Sequence, residues 1–541
     1  MQQSTSASQA FAWRSAGPRW AYIVVTGVYI IALAMMGSPL RTHFGFPLDD
    51  SWIHQTVGRN FATFGSLGYL PHQRSSGSTS LLWTLILSFN YAVLPSLSPV
   101  LYCLAINTVC LILIGLLILR LALRDGMSPA LAVLWAAAPA CNGNFLWLAF
   151  IGMEHLLFIT LSLASIVLWI QTDRRPSLRT AAAAGLTLGL LCMTRPEGIV
   201  LAAVLLPLFS LARRTLRETA LAGSITAVFA ALPFTVNLIT SGALLPVTFK
   251  GRQWMYFAAH FGGTFYRMEL IGQWIMRPLK ALLPIEGSSL TSSDRMAVFG
   301  ITAVLLALCG LALYTFFKRR YIATLVFCAW TVIHSLLYVI VLPISGHGGR
   351  YQPFLLLLLT PLVAAGIYSG IRLLPSTSQQ PALAASVLFL CLVGALSLHL
   401  WRSILANGIE HIHLSHAAMA AYLNASHIDQ EIAVFDIGRI GYDRGGNIID
   451  LGGLTDENYI YSLYNNQVPQ YLKSHKIALL VLPVDTSDRS VIAGELNLMD
   501  NPDIILKPLH RDCSPYSVWR NPWVETRLAF QCQELFRATI R

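Results

Sequence analysis

The stretch LLWTLILSFNYAVL, residues 81–94, decides how this chain is laid out. It is largely apolar but holds only 14 residues. A helix that crosses a bilayer needs about 20. If 81–94 crosses, every later segment changes sides; if it lies at the membrane surface, the sides stay as they were. Flanking charge settles the choice. With 81–94 kept at the surface, 14 basic residues from Arg14 to Arg372 share one side. The opposite short loops then carry five: Arg41, Arg59, Arg74, Arg195 and Arg350. Lys and Arg collect on cytoplasmic loops, so 81–94 reads as a juxtamembrane or re-entrant helix.

Around it the sequence predicts eleven spans, near 20–38, 99–119, 128–146, 152–170, 179–194, 197–211, 219–240, 296–317, 321–342, 353–371 and 381–401. Only a helix satisfies its own backbone in lipid. The N-terminus is expected inside, on an uncleaved first span rather than a signal peptide. Three regions are expected outside: a first loop at 39–98, a second at 241–295, and the tail from 402.

Composition agrees. Of 541 residues, 55% are apolar and 12% charged, with a mean hydropathy of +0.59. Soluble domains carry about twice that charge fraction. The predicted fold class is therefore a polytopic α-helical membrane protein with a C-terminal soluble α/β domain. Residues 1–401 form the membrane part, with a formal charge of +15, and residues 402–541 the soluble part, at −4. The basic excess follows from the cytoplasmic loops and implies no nucleic-acid partner. In the tail, Ala417–His427 and Val468–His475 read as helices, and Glu431–Asp436 and Ile477–Pro483 as strands. Cys513 and Cys532 form a disulfide or stay as two free thiols.

Acids are scarce before residue 402, and six of the ten have simple explanations. Asp125, Asp173 and Glu218 sit among arginines; Glu269, Glu286 and Asp294 lie in a solvated loop. Asp49, Asp50, Glu154 and Glu197 remain, all at outer ends of spans or in the first outer loop. Ionisable groups at such depth are costly and often mark function. Asp49 and Asp50 open an amphipathic segment with Ile53, Val57, Phe61 and Phe64 on one face. Adjacent carboxylates suit a general base with a neighbour that orients the acceptor or a cation, although an N-cap is the plain alternative. Arg59, Arg74, Arg195, His347, Arg350 and Tyr351 gather on the same side. Arginine forks and Gly-rich turns suit a phosphate; snorkelling is the alternative for each Arg.

These blocks resemble a known family. Leu48-Asp-Asp-Ser-Trp-Ile53 and Gly77-Ser-Thr-Ser-Leu-Leu-Trp83 are similar to the first outer loop of GT-C fold glycosyltransferases. Gly152-Met-Glu-His155, Thr194-Arg-Pro-Glu-Gly198 and Gly349-Arg-Tyr351 resemble further blocks in the same order. Phe435–Tyr442 and Ile449–Asp456 resemble a block that follows the last span, most closely in actinobacterial terminal arabinofuranosyltransferases. The resemblance implies a polyprenyl-phosphate-linked sugar donor and a glycan, lipid or protein acceptor. It implies a general base at Asp49 beside Asp50, and a donor phosphate near Arg195 and Arg350, with Arg59 and Arg74 as further contacts. Glu154 would position sugar or acceptor, and Glu197 is a further substrate- or phosphate-binding candidate. Many relatives carry a small residue and an aromatic after the pair; here these positions are Ser51-Trp52, with His54 following. No cofactor is implied with certainty; magnesium or manganese would suit the Asp pair. A flippase for lipid-linked sugars and a non-catalytic envelope scaffold are the rival readings.

Overall fold

The computed structural model describes residues 18–41, 44–174, 177–213, 216–254, 276–282, 291–341, 346–428, 430–445, 448–485, 490–499, 501–516 and 531–541. Each of the eleven predicted spans meets a helix. Among the described residues, seven helices are long and apolar enough to cross a membrane: Arg19–Met36, Pro99–Arg124, Leu216–Ser241, Ser292–Arg319, Ile322–Val341, Pro353–Ile371 and the one starting at Ser376. Four others are shorter in their apolar reach. The predicted 128–146 span is the clearest departure. It is Pro129–Ala137, a 3₁₀ turn over Ala138–Cys141 and a short helix Gly143–Trp147. Pro139 lacks the N–H a continuous helix needs there, and Asn142 caps the new start by accepting from the Phe145 amide at 3.1 Å.

Leu81–Val93 is a helix of 13 residues, started by the Ser80 side chain, which accepts from the Trp83 amide. At 1.5 Å per residue it reaches about 20 Å, too short for a hydrocarbon core of about 30 Å. It packs against Asp50–Phe64, a 15-residue helix closed by Gly65 in the left-handed conformation.

The bundle buries a continuous apolar core that includes Trp135, Trp147, Phe158, Trp330 and Phe354. Its outer helices keep large apolar side chains exposed, among them Val228, Ile239, Phe299 and Phe317, as a lipid-facing surface requires. The last long helix, Ser376–His411, runs unbroken across residue 401 and passes through a π turn, Ile412–Ala417, into Ala418–Ala425.

Among the described residues the tail carries five strands: β1 Ile432–Val434, β2 Ile448–Asp450, β3 Leu479–Val484, β4 Ile504–Cys513 and β5 Cys532–Ile540. They form one sheet in the order β2-β1-β3-β5-β4. β1 runs parallel to β2 and β3; β5 runs antiparallel to β3 and β4. The predicted strands are β1 and β3, and the two predicted tail helices are Ala418–Ala425 and Val468–Ser474. Those two strands are wholly buried runs, which is why composition alone marks them. Cys513 and Cys532 face each other across β4 and β5 and are bonded. Disulfides persist in oxidising compartments.

Candidate functional site

Asp50 opens the Asp50–Phe64 helix at one end of the bundle. Its carboxylate accepts from Arg350 Nη2 and, through Oδ1, from Arg252 Nη2 at 3.1 Å. Arg350 follows the Gly-rich 3₁₀ turn His347–Gly349 and is only 1% exposed. Its Nη2 also lies 3.4 Å from the Tyr351 hydroxyl, which accepts from Arg252 Nη1 as well. The Arg350 Nε is buried with no hydrogen-bond partner. Arg252 comes from the helix Val247–Gln253 in the second outer loop. Burial alone would raise the Asp50 pKa; Arg350 and Arg252 outweigh it and hold the carboxyl well below its usual range.

A second centre adjoins the first. Arg195 lies in the tight turn between Leu178–Thr194 and Gly198–Arg213. It donates to Glu154 Oε1 at 2.5 Å, Glu197 Oε1 at 3.2 Å and the Tyr338 hydroxyl at 2.6 Å. Glu154 Oε2 and Glu197 Oε2 are buried without a hydrogen-bond partner. His54 joins the two centres. Its Nδ1 is 2.6 Å from Ser78 Oγ and its Nε2 3.8 Å from Glu154 Oε2. Burial pushes the His54 imidazole below its usual range, against the pull of Glu154 and Asp50. Tyr338 and Tyr351 stack at 5.5 Å, a second bridge between the centres.

Asp49 turns away from the guanidiniums. Its Oδ2 accepts the Gly438 amide and its Oδ1 the Arg439 amide, both at 2.7 Å. These are first-turn donors of the tail helix Ile437–Arg444. Burial pushes the Asp49 carboxyl up to about 6, helped by the nearby Asp436 charge and opposed by His416 and the two amides.

Of the predicted site residues, Asp50, Glu154, Arg195, Glu197, Arg350 and Tyr351 converge, with Asp49 beside them. His347 is exposed at the rim, close enough to bear on the Asp50 charge. Arg59 and Arg74 do not join this set. Arg59 lies over the Tyr442 ring at 4.4 Å and lines a separate groove of about 470 Å³ between the first outer loop and the tail. Arg74 is exposed.

Three tail carboxylates, Asp436, Asp443 and Asp450, have different surroundings. Asp443 pairs with Arg439 at 2.6 Å within one helix. Asp450 is buried and accepts from the Gly452 and Leu454 amides and the Thr455 hydroxyl. Sequence reasoning missed Arg252, His54 and Tyr338. Arg252 had a signal in being one of few basic residues of an outer loop. His54 had one in directly following the Leu48–Ile53 block; Tyr338 had none, because it belongs to no motif.

The donor set does not fit a divalent cation. Among the described residues no three His, Cys, Asp or Glu converge to hold one. The oxygens of Asp49 are met by amides and those of Asp50 by guanidiniums.

Comparison with known proteins gives a fold. A family model described as Domain of unknown function (DUF8728) matches residues 406–528. No curated protein matches the sequence. Among solved structures, ArnT from Cupriavidus metallidurans in the apo state aligns with a TM-score of 0.53 at 14% identity, over 96% of this chain and 98% of that one. The same protein bound to undecaprenyl phosphate gives 0.52 at 13%, over 97% and 98%. The Archaeoglobus fulgidus oligosaccharyltransferase, in complex with Zn and sulfate, gives 0.50 at 13%, over 84% and 67%. The chain has the GT-C fold of these membrane proteins, with a small sheet in its C-terminal region.

Proposed function

We propose that this chain is an integral membrane glycosyltransferase that moves a sugar from a polyprenyl-phosphate donor to a glycan, lipid or protein acceptor outside the cytoplasm. One observation carries the reading. Two guanidiniums meet a single carboxylate, Asp50, at one end of the bundle, and Arg350 there keeps a buried N–H without a partner. A net positive centre with a buried unmet donor suits a phosphate. The ArnT structure with undecaprenyl phosphate bound supports a lipid of that class.

In this mechanism the prenyl chain stays in lipid while the phosphate accepts from Arg350 and Arg252. Arg195 is not the phosphate ligand, because two carboxylates already exceed its charge. The free oxygens of Glu154 and Glu197 accept instead from sugar hydroxyls. Asp49 is the general base; each of its oxygens keeps a lone pair after accepting one amide, and a pKa near neutrality suits proton transfer. It takes the proton of the acceptor hydroxyl. The hydroxyl oxygen bonds to the anomeric carbon, and the bond from that carbon to the phosphate oxygen breaks. A single displacement inverts the centre. Charge growing on the leaving phosphate meets the guanidiniums in a partly dry site, an effect worth several kcal/mol. The family resemblance supports a bacterial inner membrane; the charge bias supports a cytoplasmic N-terminus with the tail outside, and the disulfide agrees with that orientation.

Purified protein in vesicles, given radiolabelled polyprenyl-phosphate pentoses and hexoses with an envelope fraction as acceptor, tests this. Expected is a labelled glycosidic product, lost by about 10²–10⁴-fold in Asp49→Asn. Donor movement across the vesicle without product would establish the flippase instead.

A further inference from the structure

The Phe435–Tyr442 and Ile449–Asp456 blocks have no role in the mechanism above, yet both touch the residues that perform it. The amides of Gly438 and Arg439 point at Asp49 from the first turn of Ile437–Arg444, where helical N–H groups lack internal partners and favour a negative charge. Two amides on two oxygens fix the carboxylate plane as well as its position. Contact is close enough to dictate the residue type. A Cβ on Gly438 would lie 2.0 Å from the Asp49 carbonyl oxygen and 2.6 Å from its carboxylate.

The helix is itself held from the membrane side. Tyr69 donates to the Ile437 carbonyl at 2.7 Å. Arg439 lies over the Trp52 ring at 3.9 Å, and Tyr442 packs on that ring at 4.8 Å. Behind it, Asp436 accepts from Gln533 at 2.7 Å and faces His416 at 3.5 Å.

The second block seats the other half of the site. The Gly452–Gly453 turn lies on the helix that carries Arg252, and a Cβ on Gly251 would come 2.2 Å from the Gly453 carbonyl oxygen. Thr248 donates to the Leu454 carbonyl at 3.0 Å, and Lys250 pairs with Glu457. Asp450, one strand-end away, organises that turn through three hydrogen bonds.

We infer that the tail is a working part of the transferase centre. Gly438 and Arg439 are positioning residues for the base Asp49, and the 452–455 turn positions Arg252 for the donor phosphate. Neither half of the site holds its geometry without the sheet that carries these two turns. The inference rests on the reading of Asp49 and Arg252 given under Proposed function.

Its test uses the full chain in vesicles with two separate readouts: binding of undecaprenyl phosphate, and sugar transfer from the labelled donors as a function of pH. The charged and titratable groups around Asp49 are Asp50, Tyr69, His416, Asp436 and Arg439, and all stay in place in Gly438→Ala. Gly438→Ala is expected to lower kcat at least tenfold and move the acid limb of the pH profile upward, with undecaprenyl phosphate affinity within twofold of the parent. Gly251→Ala is expected to weaken undecaprenyl phosphate binding at least fivefold. Gly494→Ala, on a tail helix with open space around it, leaves both readouts unchanged.

If Gly438→Ala does not fold, Tyr69→Phe carries the same test, since it removes only the hydroxyl that holds Ile437; a threefold fall in kcat with the same limb shift is expected. Parent-like kcat and acid limb in a folded Gly438→Ala or Tyr69→Phe overturns the inference. Undecaprenyl phosphate binding without transfer in the parent itself would overturn the transferase reading instead, so the two failures are distinct.

Discussion

The Arg195 and Arg350 centres share a wall and differ in charge count. Arg195 stands between two carboxylates, is 12% exposed, and leaves buried carboxylate oxygens unmet. Arg350 and Arg252 share one carboxylate, 21% exposed, and leave a guanidinium N–H unmet. Two arginines that look alike in sequence therefore sit in opposite charge balances. The surplus on each side, rather than the presence of an arginine, says what the site lacks: an anion at one centre and hydrogen-bond donors at the other.

The comparison breaks first at Arg195. Arg195→Ala leaves Glu154 and Glu197 buried without a counter-charge, so a loss of about 3–5 kcal/mol in stability is expected, read as a lower melting temperature in detergent. A parent-like melt would mean that the two carboxylates do not need it. Next comes Arg350→Ala. Losing a charged hydrogen-bond donor of this kind costs about 1.5–3 kcal/mol, so undecaprenyl phosphate affinity should fall by about 10–100-fold; an equal fall in a folded Arg195→Ala would erase the distinction between the centres. Arg252→Ala, at a more exposed position, is expected to weaken the same affinity by a smaller factor, about tenfold.

The smallest effect concerns Asp49, the residue outside both centres. As the proposed base it must be ionised, so transfer should fall as pH drops through about 6. Stability carries the opposite sign. The folded carboxyl titrates higher than an ordinary one, so its contribution is full in acid and is lost as pH rises from the ordinary carboxylate range through about 6. Melting curves from pH 4 to 7 should show this component in the parent and not in Asp49→Asn. An identical pH dependence in both would remove Asp49 as its source.

Much of the fold was legible because its signals are local. Apolar runs of about 20 residues and loop charge are read without knowing any contact, and all eleven predicted spans meet helices. The 128–146 segment misled because its composition is apolar throughout while Pro139 and Asn142 break the backbone. In the tail, the buried strands β1 and β3 were readable, but β4 carries a mixed burial pattern with exposed and half-buried positions and showed no clean alternation. For the site, scarcity of acids before residue 402 was enough to single out Asp49, Asp50, Glu154 and Glu197. Arg59 and Arg74 were drawn in by side and charge alone, which say nothing about where a flexible side chain points.

What the sequence determined by itself was the membrane class and the short list of unusual acids, since both follow from free energies that act residue by residue. Tertiary structure alone decided the division of labour among those acids. Arg252 reaches Asp50 across 202 positions, and the Gly438 amide reaches Asp49 across 389. Electrostatic balance and carboxylate orientation are properties of such contacts. They exist only once the chain has brought distant segments within about 3 Å of each other.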